Sequence, residues 1–216
     1  MIKKCVVLFL AINISSLYAI LGGIGINGVQ DSFTLDGASF EGPGSIATVT
    51  RTDINSPVGL GGFVYLTVIP FVDFEAGINV TGSIYNYSYV DLLGNNQDVE
   101  LPMAKVTWNL SAQRPIFKIP TIRVYAGAGV NGSTYTKIVT LETMENLNPE
   151  QLSNIDYIED ELGVSTTGFH LEAGARFKPP ILPFSLNANA RYNFIKDMVP
   201  DKNGFLTLSV GLALAI

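Results

Sequence analysis

The stretch Phe184–Phe194, FSLNANARYNF, decides the fold that this chain is predicted to adopt. Its apolar residues occupy every second position, namely Phe184, Leu186, Ala188, Ala190, Tyr192 and Phe194. Its polar residues stand between them, namely Ser185, Asn187, Asn189, Arg191 and Asn193. Because successive side chains of a β-strand point to opposite faces, this alternation predicts a strand with one apolar face and one polar face.

The same period of two recurs along most of the chain. Clear further examples are Phe74–Ile84, Pro102–Ser111, Thr121–Ser133, Phe169–Phe177 and Leu206–Ile216, and less regular ones are Ile20–Gly28 and Leu60–Ile69. The apolar faces of the clear stretches carry no charged residue. We therefore predict an all-β fold of about eight strands of about ten residues each, the length that a tilted strand needs to cross a bilayer.

The composition favours a membrane environment. Of the 216 residues, 47% are hydrophobic and 15% are charged, whereas a soluble domain carries about 25% charged residues. Outside the N-terminus no apolar run is long enough for a transmembrane helix. If the chain crosses a bilayer, β-strands must cross it, and they must close into a barrel so that every backbone N–H and C=O group is paired. The predicted fold class is a transmembrane antiparallel up-and-down β-barrel. The net charge of −6 argues against nucleic-acid binding.

The first residues have the pattern of a secretory signal peptide. Lys3 and Lys4 precede an apolar run, and Ala19 offers a small residue for cleavage. We therefore predict a cleaved signal peptide at 1–19 and a barrel domain at 20–216.

The predicted connections alternate in length. Short turns are predicted near Pro70, at 114–120 and at 179–183, and longer connections at 29–59, 90–100, 139–166 and 196–204. Short turns at one end and long loops at the other are typical of outer-membrane barrels, and an even strand count puts both termini at the periplasmic, short-turn end.

In this pattern the chain resembles the small eight-stranded outer-membrane barrels, typified by the OmpA transmembrane domain, OmpX and OmpW. The resemblance covers nearly all of residues 20–216 and is one of architecture. It implies a location in the bacterial outer membrane and a structural, adhesion-type or minor transport role. The implied partners are membrane lipids, lipopolysaccharide and the outer-membrane assembly machinery. Resemblance to OmpW implies an alternative, a transporter or channel for small, even hydrophobic, solutes.

A soluble lipocalin-like binding barrel would show the same alternation with the faces exchanged. Its apolar faces would point inward, and its outward polar faces would carry many lysine and glutamate residues. The polar faces of this chain are instead rich in glycine, serine, asparagine and threonine, which suits a crowded lumen. We therefore expect the polar faces to point inward.

Charged residues on the polar faces are the candidate functional residues. Together with the single histidine they form a predicted lumen charge network, namely Glu75, Lys105, Arg123, His170, Glu172, Arg176 and Arg191. A buried charge needs a partner, and an eight-stranded barrel is narrow enough for side chains to fill. We therefore expect salt bridges that plug the lumen, with Glu172 close to Arg191 or Asn189. Resemblance to OmpA-type barrels associates such a network with gating.

Catalysis, cofactor binding and metal binding are not expected. His170-Leu171-Glu172 lacks the His-x-Ser arrangement of lipid-modifying outer-membrane hydrolases, and catalysis would need a nucleophile within reach. The G-x-G-x-x-G matches at 23–28 and 127–132 are not followed by the helical pattern that dinucleotide binding requires. With one histidine, and with Cys5 lost in the predicted signal, no transition-metal site is expected.

The connection between Leu141 and Val164 contains acidic residues and no basic ones. Asn148-Pro149-Glu150 predicts the start of a short helix, which Gly163 could end. We expect a solvated loop, with a lid or a site for divalent cations or a cationic partner as the alternative.

Overall fold

The structure is a computed structural model that describes residues 22–41, 48–69, 71–90, 95–136, 163–179, 182–196, 198 and 202–215. Within these residues the regular structure consists of ten strands. They are β1 (Gly22–Ser32), β2 (Ala38–Glu41), β3 (Thr48–Arg51), β4 (Val58–Ile69), β5 (Val72–Val90), β6 (Asn96–Lys118), β7 (Ile122–Thr136), β8 (Gly163–Phe177), β9 (Phe184–Phe194) and β10 (Phe205–Ala215). No helix among the described residues is long and apolar enough to cross a membrane.

Eight of the strands close into a barrel. Each of them pairs with two neighbours in the order β5-β4-β1-β10-β9-β8-β7-β6, and a β5–β6 pairing completes the ring. The first and last barrel strands pair antiparallel from Gly23 opposite Ala215 to Ser32 opposite Leu206. Closure leaves no free sheet edge in the wall that these strands form. The predicted closed antiparallel barrel of about eight strands is confirmed.

The two faces of the wall have the predicted orientation. On the outside, Ile26 is 73% and Leu60 74% exposed, whereas on the inside Gln113 and Asn131 are fully buried. Exposed large apolar side chains occur on every barrel strand. Because so extensive an apolar surface is not stable in water, the soluble lipocalin-like alternative is wrong and the exterior faces lipid.

Two barrel strands are longer than predicted. β5 has 19 residues and β6 has 23, and their pairing continues until Val90 lies opposite Asn96. The loop predicted at 90–100 therefore shortens to 91–95. Beyond the bilayer both faces of a strand meet water, so the apolar–polar alternation stops before the strand does.

The sequence pattern also missed β2 and β3, which lie inside the connection predicted at 29–59. They pair with each other, and β3 also pairs with the last residues of β5, from Tyr87 to Tyr89. Each has four residues, which is too short for a period of two to be recognised.

The turn predicted at 114–120 is shorter in the structure. β6 continues to Lys118, and Ile119 and Ile122 exchange backbone hydrogen bonds across the hairpin. A bulge between Pro115 and Phe117 accommodates the proline, which has no N–H to donate to the ladder. The predicted signal peptide at 1–19 and the predicted helix start at 148–150 lie outside the described residues.

We call the end of the barrel that carries the short connections 70–71, 119–121 and 178–183 the turn end, and the opposite end the loop end.

The barrel lumen as the candidate functional site

The inward side chains of β6 show how the lumen changes from one end to the other. From the loop end to the turn end they are Met103, Lys105, Thr107, Asn109, Ser111 and Gln113, and all are buried. Because these positions alternate with outward ones, each side chain meets a different layer of neighbours inside the barrel.

Three acidic and three basic side chains meet at the turn end. This ionic cluster consists of Asp73, Glu75, Glu172, Arg123, Arg176 and Arg191. Arg191 Nη2 lies 2.8 Å from Glu172 Oε2 and 3.4 Å from Glu75 Oε1. Arg176 Nη2 lies 3.1 Å from Glu75 Oε2, and Arg123 Nη1 lies 2.6 Å from Asp73 Oδ2. The positive and negative charges are therefore balanced, as burial requires.

Uncharged side chains complete the ionic cluster. Gln113 Nε2 donates to Glu75 at 3.1 Å and to Glu172 at 2.9 Å, while Gln113 Oε1 accepts from Arg176 at 3.1 Å. The Arg176 guanidinium also lies 3.9 Å from the ring centre of Tyr65 and 5.1 Å from that of Tyr125. These contacts fill the turn-end lumen and fix the charged groups in one geometry.

Lys105 stands apart from the ionic cluster. Its Nζ lies 2.6 Å from Asp31 Oδ2 and 4.2 Å from the ring centre of Phe205. The hydroxyls of Thr81 and Thr207 donate to the same Asp31 carboxylate at 2.7 Å and 2.6 Å. The six charged residues of the predicted network therefore fall into two ionic sites at different depths, because Lys105 lies several inward positions closer to the loop end.

On the loop-end side of the Asp31–Lys105 pair the lumen is filled by apolar side chains. This apolar cluster consists of Phe33, Ile54, Tyr85, Met103, Tyr135, Ile195, Met198 and Phe205, each at most 4% exposed. The rings of Phe33 and Phe205 meet edge to face, with their centres 5.5 Å apart. The connections contribute Phe33, Ile54, Ile195 and Met198, and inward strand positions contribute the others.

His170 has a nucleophile within reach, which the sequence did not reveal. Ser111 Oγ lies 2.8 Å from His170 Nε2. The nearest atom of Glu172, Oε2, lies 4.0 Å from that same nitrogen, and His170 Nδ1 has no hydrogen-bond partner among the described residues. A catalytic triad needs its carboxylate on the nitrogen opposite the serine. His170 is also fully buried, so this arrangement does not support hydrolysis.

The sequence interpretation missed the acidic partners Asp31 and Asp73 and the bridging Gln113. Asp31 and Asp73 lie just beyond the strand ends that the pattern predicted at Gly28 and Phe74. Continuing the period of two past those ends would have placed both side chains inward. In the described ranges, no group of three or more histidine, cysteine, aspartate or glutamate side chains could hold a metal ion.

The chain matches no protein-family model and no curated protein. It is similar to several solved structures at low sequence identity. The N-terminal β-barrel domain of Pseudomonas aeruginosa OprF is 12% identical with a TM-score of 0.46, and the match covers 90% of this chain and 97% of that one. Ail, the attachment invasion locus protein of Yersinia pestis, solved with the heparin analogue sucrose octasulfate, is 11% identical with a TM-score of 0.45, covering 90% and 97%. OprG of Pseudomonas aeruginosa is 14% identical with a TM-score of 0.45, covering 90% and 91%.

At this level of similarity the comparisons add nothing about activity, and the assignment of fold rests on the closed strand pairing and the apolar exterior. In architecture the chain is a small eight-stranded barrel of the outer-membrane type.

Proposed function

We propose that this protein is an outer-membrane β-barrel with a structural or adhesion-type role, and that the ionic cluster plugs its lumen. The observation that carries the proposal is the set of balanced ion pairs at the turn end, made by side chains from β5, β7, β8 and β9. An ion that crossed this layer would have to displace buried, hydrogen-bonded charges.

The membrane around the barrel supplies its proposed partners. We propose that membrane lipids and lipopolysaccharide contact its lipid-facing surface and that the outer-membrane assembly machinery inserts its strands. A structural or adhesion-type protein acts through its wall and its loops and needs no open lumen. We propose no enzymatic activity, since the buried Ser111–His170 contact lacks a correctly placed carboxylate.

The experiment that tests this proposal is reconstitution of the folded chain into planar bilayers and liposomes. We expect heat-modifiable migration in detergent, no steady single-channel conductance and no swelling of liposomes in small sugars. Steady conductance or swelling by the wild-type chain would favour the alternative, a transporter or channel for small solutes. A chain that stays soluble without detergent would contradict the membrane location.

A further inference from the structure

The middle of the lumen contains a small polar cavity. It has a volume of about 20 Å³, and its walls include Asn27, Asn79, Asn109, Ser209, Glu75 and Arg191. Glu75 and Arg191 belong to the ionic cluster, but Arg191 lies opposite Thr207 in the β9–β10 ladder. Arg176, which pairs with Glu75, lies opposite Asn187, the lining residue of β9 nearest the turn end. The Glu75–Arg176 pair therefore forms the turn-end side of the cavity. On its loop-end side, Thr207 is the next inward residue of β10 after Ser209 and binds Asp31.

Two amide oxygens in the cavity wall have no protein partner. Asn27 Nδ2 donates to Asn79 Oδ1 at 3.4 Å, but Asn27 Oδ1 and Asn109 Oδ1 are buried without a hydrogen bond among the described residues. A buried acceptor that lacks a hydrogen bond destabilises a protein by about 1–3 kcal/mol. A polar cavity holds a water once its volume exceeds about 10–15 Å³, so this one is large enough for an ordered water.

Phe205 is the next inward residue of β10 after Thr207 toward the loop end, so the apolar cluster lies on the loop-end side of this cavity. An ion entering an apolar constriction loses its hydration shell and gains no polar partner, which is how hydrophobic gates exclude ions. The apolar cluster also contacts the Asp31–Lys105 pair, because the Lys105 ammonium lies over the Phe205 ring. The two obstacles to permeation thus lie on opposite sides of the cavity and have different chemistry.

From these observations we propose that the lumen is closed by two barriers in series, with a water-binding chamber between them. The ionic cluster is the turn-end barrier, and the apolar cluster together with the adjoining Asp31–Lys105 pair is the loop-end barrier. The proposal rests on the proposed function for the turn-end barrier and adds the second barrier and the chamber. Opening either barrier alone connects the chamber to one side of the membrane, and only opening both creates a continuous aqueous path.

A cysteine in the chamber distinguishes access from conduction. Ser209 is close in size to cysteine and lines the cavity, so Ser209→Cys in a Cys5→Ser background is the reporter. A small cationic methanethiosulfonate reagent is added to both sides of reconstituted protein, and single-channel conductance is measured in parallel.

The turn-end variant is Glu75→Ala with Arg176→Ala, which removes a whole ion pair from the turn-end side of the cavity. The loop-end variant is Met103→Ser with Phe205→Ser, and its matched control is Met103→Leu with Phe205→Leu. Heat-modifiable migration establishes folding of each variant. If the loop-end variant does not fold, Phe33→Ser with Met198→Ser changes connection residues of the same cluster.

We expect the reporter to be unreactive in the otherwise wild-type chain and in the leucine control. Each single-barrier variant should make the cysteine reactive without conductance, and the combined variant should also conduct. A reactive wild-type chamber, unreactive single-barrier variants or a closed combined variant would overturn the inference.

The two proposals fail differently. Conductance in the turn-end variant alone would remove the second barrier and leave the ionic plug of the proposed function intact. Conductance in the loop-end variant alone would show that the ionic cluster does not close the lumen, and the proposed function would then fall with the inference.

Discussion

The two ends of the lumen are filled by opposite chemistry. At the turn end the connections are short, so the filling side chains come from inward strand positions. Most of those positions are polar, with Phe63, Tyr65 and Ala213 as a small apolar group among them. At the loop end the long connections bring Phe33, Ile54, Ile195 and Met198 into the mouth, where they pack on inward strand residues. Strand register therefore controls the ionic cluster, whereas folding of the connections controls the apolar cluster.

The largest effect is expected when one charge of the ionic cluster loses its partner. Glu172→Ala leaves Arg191 buried with only the longer 3.4 Å contact to Glu75, and breaking a buried pair in this way costs about 3–5 kcal/mol. Equilibrium unfolding in urea, with the protein in detergent micelles or lipid vesicles, measures this loss. The control is Glu172→Ala with Arg191→Ala, which should destabilise the barrel less than the sum of the two single changes. Additive losses would mean that the two side chains do not act as a pair.

At the loop end the loss should follow side-chain volume instead of charge. Met103 is 2% exposed within the apolar cluster, and Met103→Ala should reduce the free energy of unfolding by about 2–5 kcal/mol because a cavity remains. Met103→Leu keeps the volume and should cost less than about 1.5 kcal/mol. Equal losses in the two variants, measured by urea unfolding, would show that the cluster is not closely packed.

Smaller losses are expected where a glycine leaves room for a lumen ring at the turn end. A Cβ on Gly23 would lie 2.6 Å from ring carbons of Tyr65, the ring that covers Arg176. Gly23→Ala should therefore cost about 1–3 kcal/mol through overpacking. Gly28 on the same strand is the matched control, since its Cβ would meet nothing closer than Val210 O at 3.9 Å. If Gly28→Ala destabilised the barrel as much as Gly23→Ala, general strand effects would account for the loss.

The smallest effect is expected at the rim of the ionic cluster. The Arg123 side chain is 14% exposed, and its partner Asp73 also has Arg176 Nη1 at 3.7 Å. Because Arg123 lies at the partly exposed rim, water can take its place beside Asp73, and Arg123→Ala should cost roughly 1 kcal/mol, the upper end for solvent-accessible ion pairs. A loss as large as that of Glu172→Ala in the same urea titration would place Arg123 among the essential charges.

Much of this architecture follows from residues near one another in the chain. The alternation in Phe184–Phe194 and its counterparts predicted the strands, the barrel and the lipid-facing side. It also put Glu172 near Arg191, because their strands are joined by a short connection, and the two residues face each other directly in the β8–β9 ladder. The extensions of β5 and β6 were missed because a strand with water on both faces shows no apolar–polar alternation. β2 and β3 were missed because four residues are too few for a period of two to be recognised.

The sequence by itself determined which side chains point inward, since that depends only on the period of two along each strand. Only the tertiary structure decided which inward side chains meet. Glu75 and Arg191 are 116 positions apart and lie on strands that are not neighbours in the wall. Their contact, like the separation of Lys105 from the ionic cluster, depends on how far each strand is staggered when the sheet closes, and that stagger is a property of the whole ring. The apolar cluster is likewise a product of folding, because residues from distant connections gather there to fill the mouth.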